Sequence, residues 1–188
     1  MRRQPRTGGI RTGPADLRER LRHGPGGRAV EGTLRPSSGT ETHLELYRRF
    51  PEIGSIVHTH SPWATIWAQL GRDIPPLGTT HADDFGAQIL CTRAMEPEKI
   101  EGPYERNTGR VIAETLEGWE FRRHSGVLVR GHGPFVWESM PEKAVEKAVV
   151  LERVDGMACA LDAGTAPISQ TLLDRHFLRK HGENAYYG

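Results

Sequence analysis

Ile56-Val57-His58-Thr59-His60-Ser61-Pro62 is the stretch on which the reading of this chain turns. Its apolar start predicts a strand over 55–58, and Ser61-Pro62 opens a helix, with serine as N-cap and proline at the first helical position. Side chains two apart in a strand share a face. At a rise of about 3.3 Å per residue their Cβ atoms lie about 6–7 Å apart. Two imidazoles at that spacing can converge on one cation with Zn–N distances of about 2.0–2.1 Å. Thr59 faces the other way. Taken alone, the same pattern also fits a strand end that happens to carry two histidines.

Working outward, the helix after Pro62 carries Trp63, Ile66, Trp67 and Leu70 and is stopped by Gly71. Upstream, a helix is predicted over 42–50, with His43, Tyr47 and Phe50 on one stripe and Pro51 ending it. A short strand is expected over 30–34. Downstream, Pro75-Pro76-Leu77-Gly78 reads as a loop leading into Thr79-Thr80-His81-Ala82-Asp83-Asp84. Strands follow over 88–91, 126–129 and 135–137, and helices over 107–116, 141–163 and 169–180. The long helix presents Val145, Ala148, Val149, Val154, Met157 and Leu161 as its apolar positions, with Gly164 as its cap. Alternating strands and helices imply an α/β class with layered packing. Neither a repeat nor a second folded domain is visible. The organisation expected is a leader over 1–27 and one domain over 28–188.

The chain has 188 residues, 36% hydrophobic and 26% charged, enough for one domain with a core. No apolar run reaches membrane-spanning length, and no apolar segment follows the basic start, so neither a membrane partner nor a secretory signal is expected. Cys91 and Cys159 form neither a metal pair nor a disulfide framework, which points to a reducing cytoplasm. Charge is uneven. Eight arginines against Asp16 and Glu19 give residues 1–28 a charge of +6, leaving −5 on the other 160 of a chain at +1. That leader lacks aromatic residues to stack on bases and an amphipathic face for a membrane, so nucleic acid is not expected as a partner. Its Arg/Gly/Pro content predicts poor order.

A third histidine joins the first two. His132 follows an apolar strand and sits between Gly131 and Gly133, which let the backbone turn sharply and approach a ligand closely. Three histidines with an open fourth position are the pattern of a catalytic zinc site. Imidazole also suits Mn, Fe, Co and Ni.

These residues, with Gly78-Thr79-Thr80-His81-Ala82-Asp83, Gly126-Val127-Leu128-Val129, Gly131-His132-Gly133-Pro134-Phe135 and the tail from Gln170 through Tyr186-Tyr187-Gly188, resemble the zinc-dependent class II aldolase family. Its fold also occurs in the adducin head. Within it the motifs are similar to those of the epimerases acting on L-ribulose 5-phosphate. The resemblance runs from about Arg28 to Gly188. It implies a three-layer αβα fold on a central mixed, mainly antiparallel sheet. It implies a sugar-phosphate epimerase with Zn2+, or Mn2+, Co2+ or Ni2+, held by His58, His60 and His132. Asp83 and Tyr187 match the acid/base pair, with Tyr187 at a subunit boundary of a homotetramer and supplied by the neighbouring subunit. Thr79, Glu105 and His176 match supporting positions, and Ser37 and Ser38 part of the phosphate-binding set. Such an enzyme would interconvert L-ribulose 5-phosphate and D-xylulose 5-phosphate by breaking and re-forming the C3–C4 bond.

The sequence also departs from the family pattern. Gly39 stands after the serine pair where the family has Asp or Glu, with Glu41 two residues on as a substitute. Residues 1–27 contain neither of the family's N-terminal phosphate loops, so the N-terminal part of the family fold is expected to be missing. Asp84 adds a like charge beside Asp83. An aldolase or dehydratase on another short sugar phosphate, and a catalytically impaired metal-binding homologue, therefore remain alternatives. Of the other histidines, His43 reads as a helix-face residue, His81 as locally hydrogen-bonded and His124 as solvent-exposed. Trp63 and Trp67 read as core or subunit contact.

Overall fold

The computed structural model describes residues 22–23, 29–31, 37–161 and 164–186, with side chains from Ser37 onward. The chain forms two compact units, Met1–Ser37 and Ser38–Gly188. In the first, β1 (Arg22–His23) and β2 (Ala29–Glu31) pair antiparallel. The remainder of the expected leader and of the 30–34 strand lies outside the described residues.

The second unit holds α1 (Thr40–Arg49), β3 (Ser55–His58), α2 (Pro62–Leu70), α3 (Thr79–Asp84), β4 (Leu90–Cys91) and α4 (Pro97–Glu101). After these come α5 (Tyr104–Thr115), β5 (Gly126–Val129), β6 (Gly133–Glu138), α6 (Pro141–Cys159) and α7 (Gln170–His181). The sheet order is β3-β6-β5-β4, antiparallel at the first two junctions and parallel at the last. It is thus the mixed, mainly antiparallel sheet that the resemblance implies.

Strand alternation sorts the core into two layers. Ile56, Val127, Val129, Phe135 and Trp137 face Leu46 of α1 and Ile112 of α5. Leu128 and Val136 face the other way, against Ala64, Trp67 and Ala68 of α2 and Leu151 and Ala158 of α6. Helices on both faces give the three layers.

Several local outcomes differ from the sequence reading. Residues 79–84, to which the sequence reading assigns no element, form a helix, and 97–101 add a helix that no periodicity signals. The long helix ends at Cys159, so Gly164 is not its cap. Its buried face is Ala144, Lys147, Leu151, Val154, Asp155 and Ala158, whereas Val145, Val149, Met157 and Leu161 are exposed. Ser61 occupies the N-cap of α2 without capping it through its side chain. The orphan N–H groups of Trp63 and Ala64 instead donate to the Glu152 carboxylate at 3.1 Å, which pins α6 to the start of α2. His124 is buried, not exposed: it precedes the fully buried β5 and lies under the Trp119 ring. Trp67 is core, with its Nε1–H donating to the Asp155 carbonyl, and Trp63 is half exposed.

Asp155 is 0% exposed and neither carboxylate oxygen has a protein partner. Burial, and then the negative charge of Glu152, push its carboxyl up to about 8. An unfolded aspartate titrates near about 3.9. Between these values the folded chain keeps a proton that the unfolded chain has shed, so this group's contribution to stability declines as pH rises across that window. Asp155→Asn is expected to melt above wild type at pH 8, with the gain shrinking toward pH 5. Thermal melts at the two pH values check this, and an equal loss at both would show the carboxyl to be charged.

Candidate active site

β3 delivers His58 at its last residue, and His60 follows two residues on, outside the strand. β5 and β6 deliver His132 in the turn between them. Gly131 takes φ +72°, a left-handed value that suits glycine, and Gly133 approaches so closely that an added Cβ would lie 2.8 Å from the Thr59 carbonyl. These two glycines let the β5–β6 turn press against the exit of β3. The result is convergence: His58 Nε2 lies 3.1 Å from His60 Nε2 and 3.1 Å from His132 Nε2. Ring centroids are 4.8–4.9 Å apart.

The donor set fits a divalent cation. Two ligands at about 2.0–2.1 Å from a tetrahedral ion lie about 3.4 Å apart, close to the separations seen. His58 Nδ1–H donates to the Pro134 carbonyl at 2.8 Å, which leaves Nε2 as a bare lone pair. Phe135 stacks on the same ring at 4.0 Å, and His43 meets Phe135 edge-on as a helix-face residue. Burial, reinforced by the neighbouring His132 and His60, lowers His58 to about 4. Burial and then His60 lower His132. Both rings are therefore neutral near pH 7, the state that binds metal. Among the described residues no carboxylate joins the cluster. Gly39 sits at φ −69°, an ordinary value, and Glu41 pairs with Arg106 at 3.1 Å instead of turning to the histidines.

Tyr104 carries no sequence signal of a role at the site. Its hydroxyl lies 3.2 Å from His132 Nδ1, where it fixes the ring so that Nε2 faces the other two histidines. Loss of such an outer partner costs about 10- to 100-fold in metal affinity. Tyr104→Phe is expected to weaken zinc binding by that factor with the fold intact, as read by competition with a chelator.

Asp83 lies elsewhere. It is on α3, and its carboxylate meets α7: His176 Nδ1 at 2.9 Å and Arg179 Nη2 at 2.9 and 3.1 Å. His181 Nε2 reaches the Asp83 carbonyl at 2.9 Å. The like charge of Asp84 is taken up separately by Lys180 at 3.1 Å. Lys147 ties the Asp84 carbonyl to Ser125, the residue before β5, and to Glu138, the last of β6. Glu138 is the register partner of Ser55, whereas His58 pairs with Phe135. Asp83 and the histidine triad thus sit at opposite ends of the same strands, about 10–13 Å apart along them. One chain does not bring them together.

The other expected residues scatter accordingly. His176 joins Asp83. Thr79 opens α3, and Glu105, next to Tyr104, accepts the Thr42 hydroxyl on its carbonyl at 2.7 Å. Ser37 and Ser38 are exposed just before α1. His81 is buried and hydrogen-bonded locally to the Ala87 carbonyl. Tyr187 lies outside the described residues. Arg179 was not singled out from sequence, although its place three residues after His176 puts both on one helical face.

Residues 18–159 match the class II aldolase and adducin N-terminal domain. The chain belongs to that family. Among curated class II aldolase relatives, an L-ribulose-5-phosphate 4-epimerase, UlaF, of Salmonella typhi is 53% identical over 165 residues, covering 86% of this chain and 72% of the relative. The same protein from Salmonella paratyphi B is 52% identical over the same shares. Among solved structures, an L-fuculose 1-phosphate aldolase superposes with a TM-score of 0.65 at 19% identity, covering 82% of this chain and 68% of that one. YgbL of Klebsiella pneumoniae gives 0.62 at 22% identity, covering 81% and 70%. These two show the fold alone. The class II aldolase family is metal-dependent, and the three-histidine cluster is where this member offers donors for a cation. No helix among the described residues is long and apolar enough to cross a membrane.

Proposed function

We propose that this class II aldolase chain is a metal-dependent epimerase that interconverts L-ribulose 5-phosphate and D-xylulose 5-phosphate. The observation that carries the reading is the convergence of three imidazoles through Nε2. The likeness to curated epimerases selects this chemistry over aldol cleavage with release. A divalent ion held by His58, His60 and His132, zinc by preference and Mn2+, Co2+ or Ni2+ as substitutes, supplies Lewis-acid stabilisation of the negative charge that develops on the ketose oxygens.

The protein's own groups do the rest. Asp83, oriented by Arg179 and His176, accepts the C4 hydroxyl proton as the C3–C4 bond breaks. The aldehyde fragment turns, the bond re-forms on its other face, and Tyr187 returns a proton to the new C4 oxygen. Ser37, Ser38, Thr79 and Glu105 hold the substrate's phosphate and hydroxyls. Since Asp83 and the triad occupy opposite ends of the sheet, each site takes its metal ligands from one subunit and its proton-transfer groups, Asp83 and Tyr187, from the next. A homotetramer supplies that arrangement. The exposed Trp63, Val145, Val149 and Met157, which line one groove beside Thr59 and Ser61, suit a face covered by a second copy. We place the enzyme in the cytoplasm, with no nucleic acid or membrane partner.

The absence of a carboxylate from the described cluster, together with Gly39, favours a second reading, a metal-binding homologue with impaired turnover. Elemental analysis and an epimerase assay on one sample separate the two. About one metal per chain with turnover supports the epimerase. Metal without turnover supports the impaired homologue. Release of a free aldehyde from another ketose phosphate points to an aldolase.

A further inference from the structure

We propose that Lys147 is the positioning residue of the acid/base cluster: it fixes the C-terminal end of α3, and with it Asp83, against the sheet. The inference rests on the reading of Asp83 as the acid/base group. Lys147 points inward from α6 and is 3% exposed. An ammonium has three donors. Here they find three acceptors on three elements: the Asp84 carbonyl at the end of α3 at 3.0 Å, Ser125 Oγ before β5 at 2.6 Å, and Glu138 Oε1 at the end of β6 at 2.7 Å. The Phe85 ring, which follows α3, lies 5.3 Å from the same Nζ.

The need for such a tie follows from the length of α3. Six residues cannot hold a helix in place by themselves, and the last carbonyls of a helix have no partner within it. The remaining bonds on this end of α3 come chiefly from α7, through His176, Arg179, Lys180 and His181. Lys147 is the ammonium that ties α3 to the strands. An ion pair with one partner buried, such as Lys147–Glu138, is often no more stabilising than an apolar pair of the same volume. Stability alone is therefore a weak reason for a charge at this place, whereas registration of Asp83 is a specific one. An error of about 1 Å in placing a reacting group can cost roughly 100-fold in rate.

Lys147→Met leaves the partly buried Glu138 carboxylate without its partner and can fail to fold for that reason. The decisive protein is the full chain carrying both Lys147→Met and Glu138→Gln, which removes the pair. We expect it to fold with wild-type metal content. Its kcat should fall about 10- to 100-fold with KM within about twofold. Backbone amides of 79–85 should exchange with deuterated water faster than in wild type, while those of 55–62 keep their protection. Unchanged exchange over 79–85 in the folded double variant overturns the proposal, as does full recovery of kcat. If wild type itself does not turn over L-ribulose 5-phosphate, the functional reading fails, and the exchange pattern alone still decides whether Lys147 places α3.

Discussion

Asp83→Asn is expected to lower kcat by about 10²- to 10⁴-fold, the usual worth of a positioned proton-transfer group. The amide keeps the shape of the side chain and one acceptor for Arg179 and His176, so α3 and α7 stay in contact. What is lost is the ability to take a proton. Metal content should not change, because no atom of Asp83 belongs to the histidine cluster. Initial rates with L-ribulose 5-phosphate, and elemental analysis of the same preparation, check both halves. A variant that retains more than a tenth of wild-type kcat would exclude Asp83 from proton transfer.

His58→Ala and His132→Ala are expected to abolish turnover by another route. Each removes one of three donors, so metal affinity should fall beyond the roughly 10- to 100-fold assigned to an outer partner. Neither ring belongs to the apolar clusters that carry the fold, and both are only half-buried at strand ends. Circular dichroism should therefore match wild type while the bound metal disappears. Full metal retention in either protein would refute the ligand assignment. The two classes of inactive protein can also be combined. In a ring whose sites draw on two neighbours, co-refolded His132→Ala and Asp83→Asn subunits should regain intact sites at about a quarter of the positions. No recovery would confine both clusters to separate roles within one subunit.

Much of this arrangement was legible in the residues. The strand over 55–58 and the helix begun by Pro62 and stopped by Gly71 were found at their observed limits, because alternation, proline and glycine are local signals. Gly131 and Gly133 announced a tight approach at His132, and the structure supplies both the positive φ and the short distance to Thr59. The failures share a cause. The six-residue α3 and five-residue α4 are too short to show a period. On α6, apolar spacing put Val145 and Val149 inward, but the buried face holds Lys147 and Asp155, whose placement depends on distant partners or on none. Tyr104 reaches His132 across 28 positions, and Lys147 reaches Asp84 across 63. The separation of Asp83 from the triad is a property of strand direction and order, which no window of neighbouring residues encodes.

The antipodal placement of the two clusters has an operational consequence. On the proposed shared-site arrangement, a subunit detached from its ring would be a loaded but idle carrier, its cation seated on its own histidines while the proton relay has left with its neighbour. Dilution is then expected to silence the catalyst before it demetallates, with activity restored by reconcentration and not by added metal.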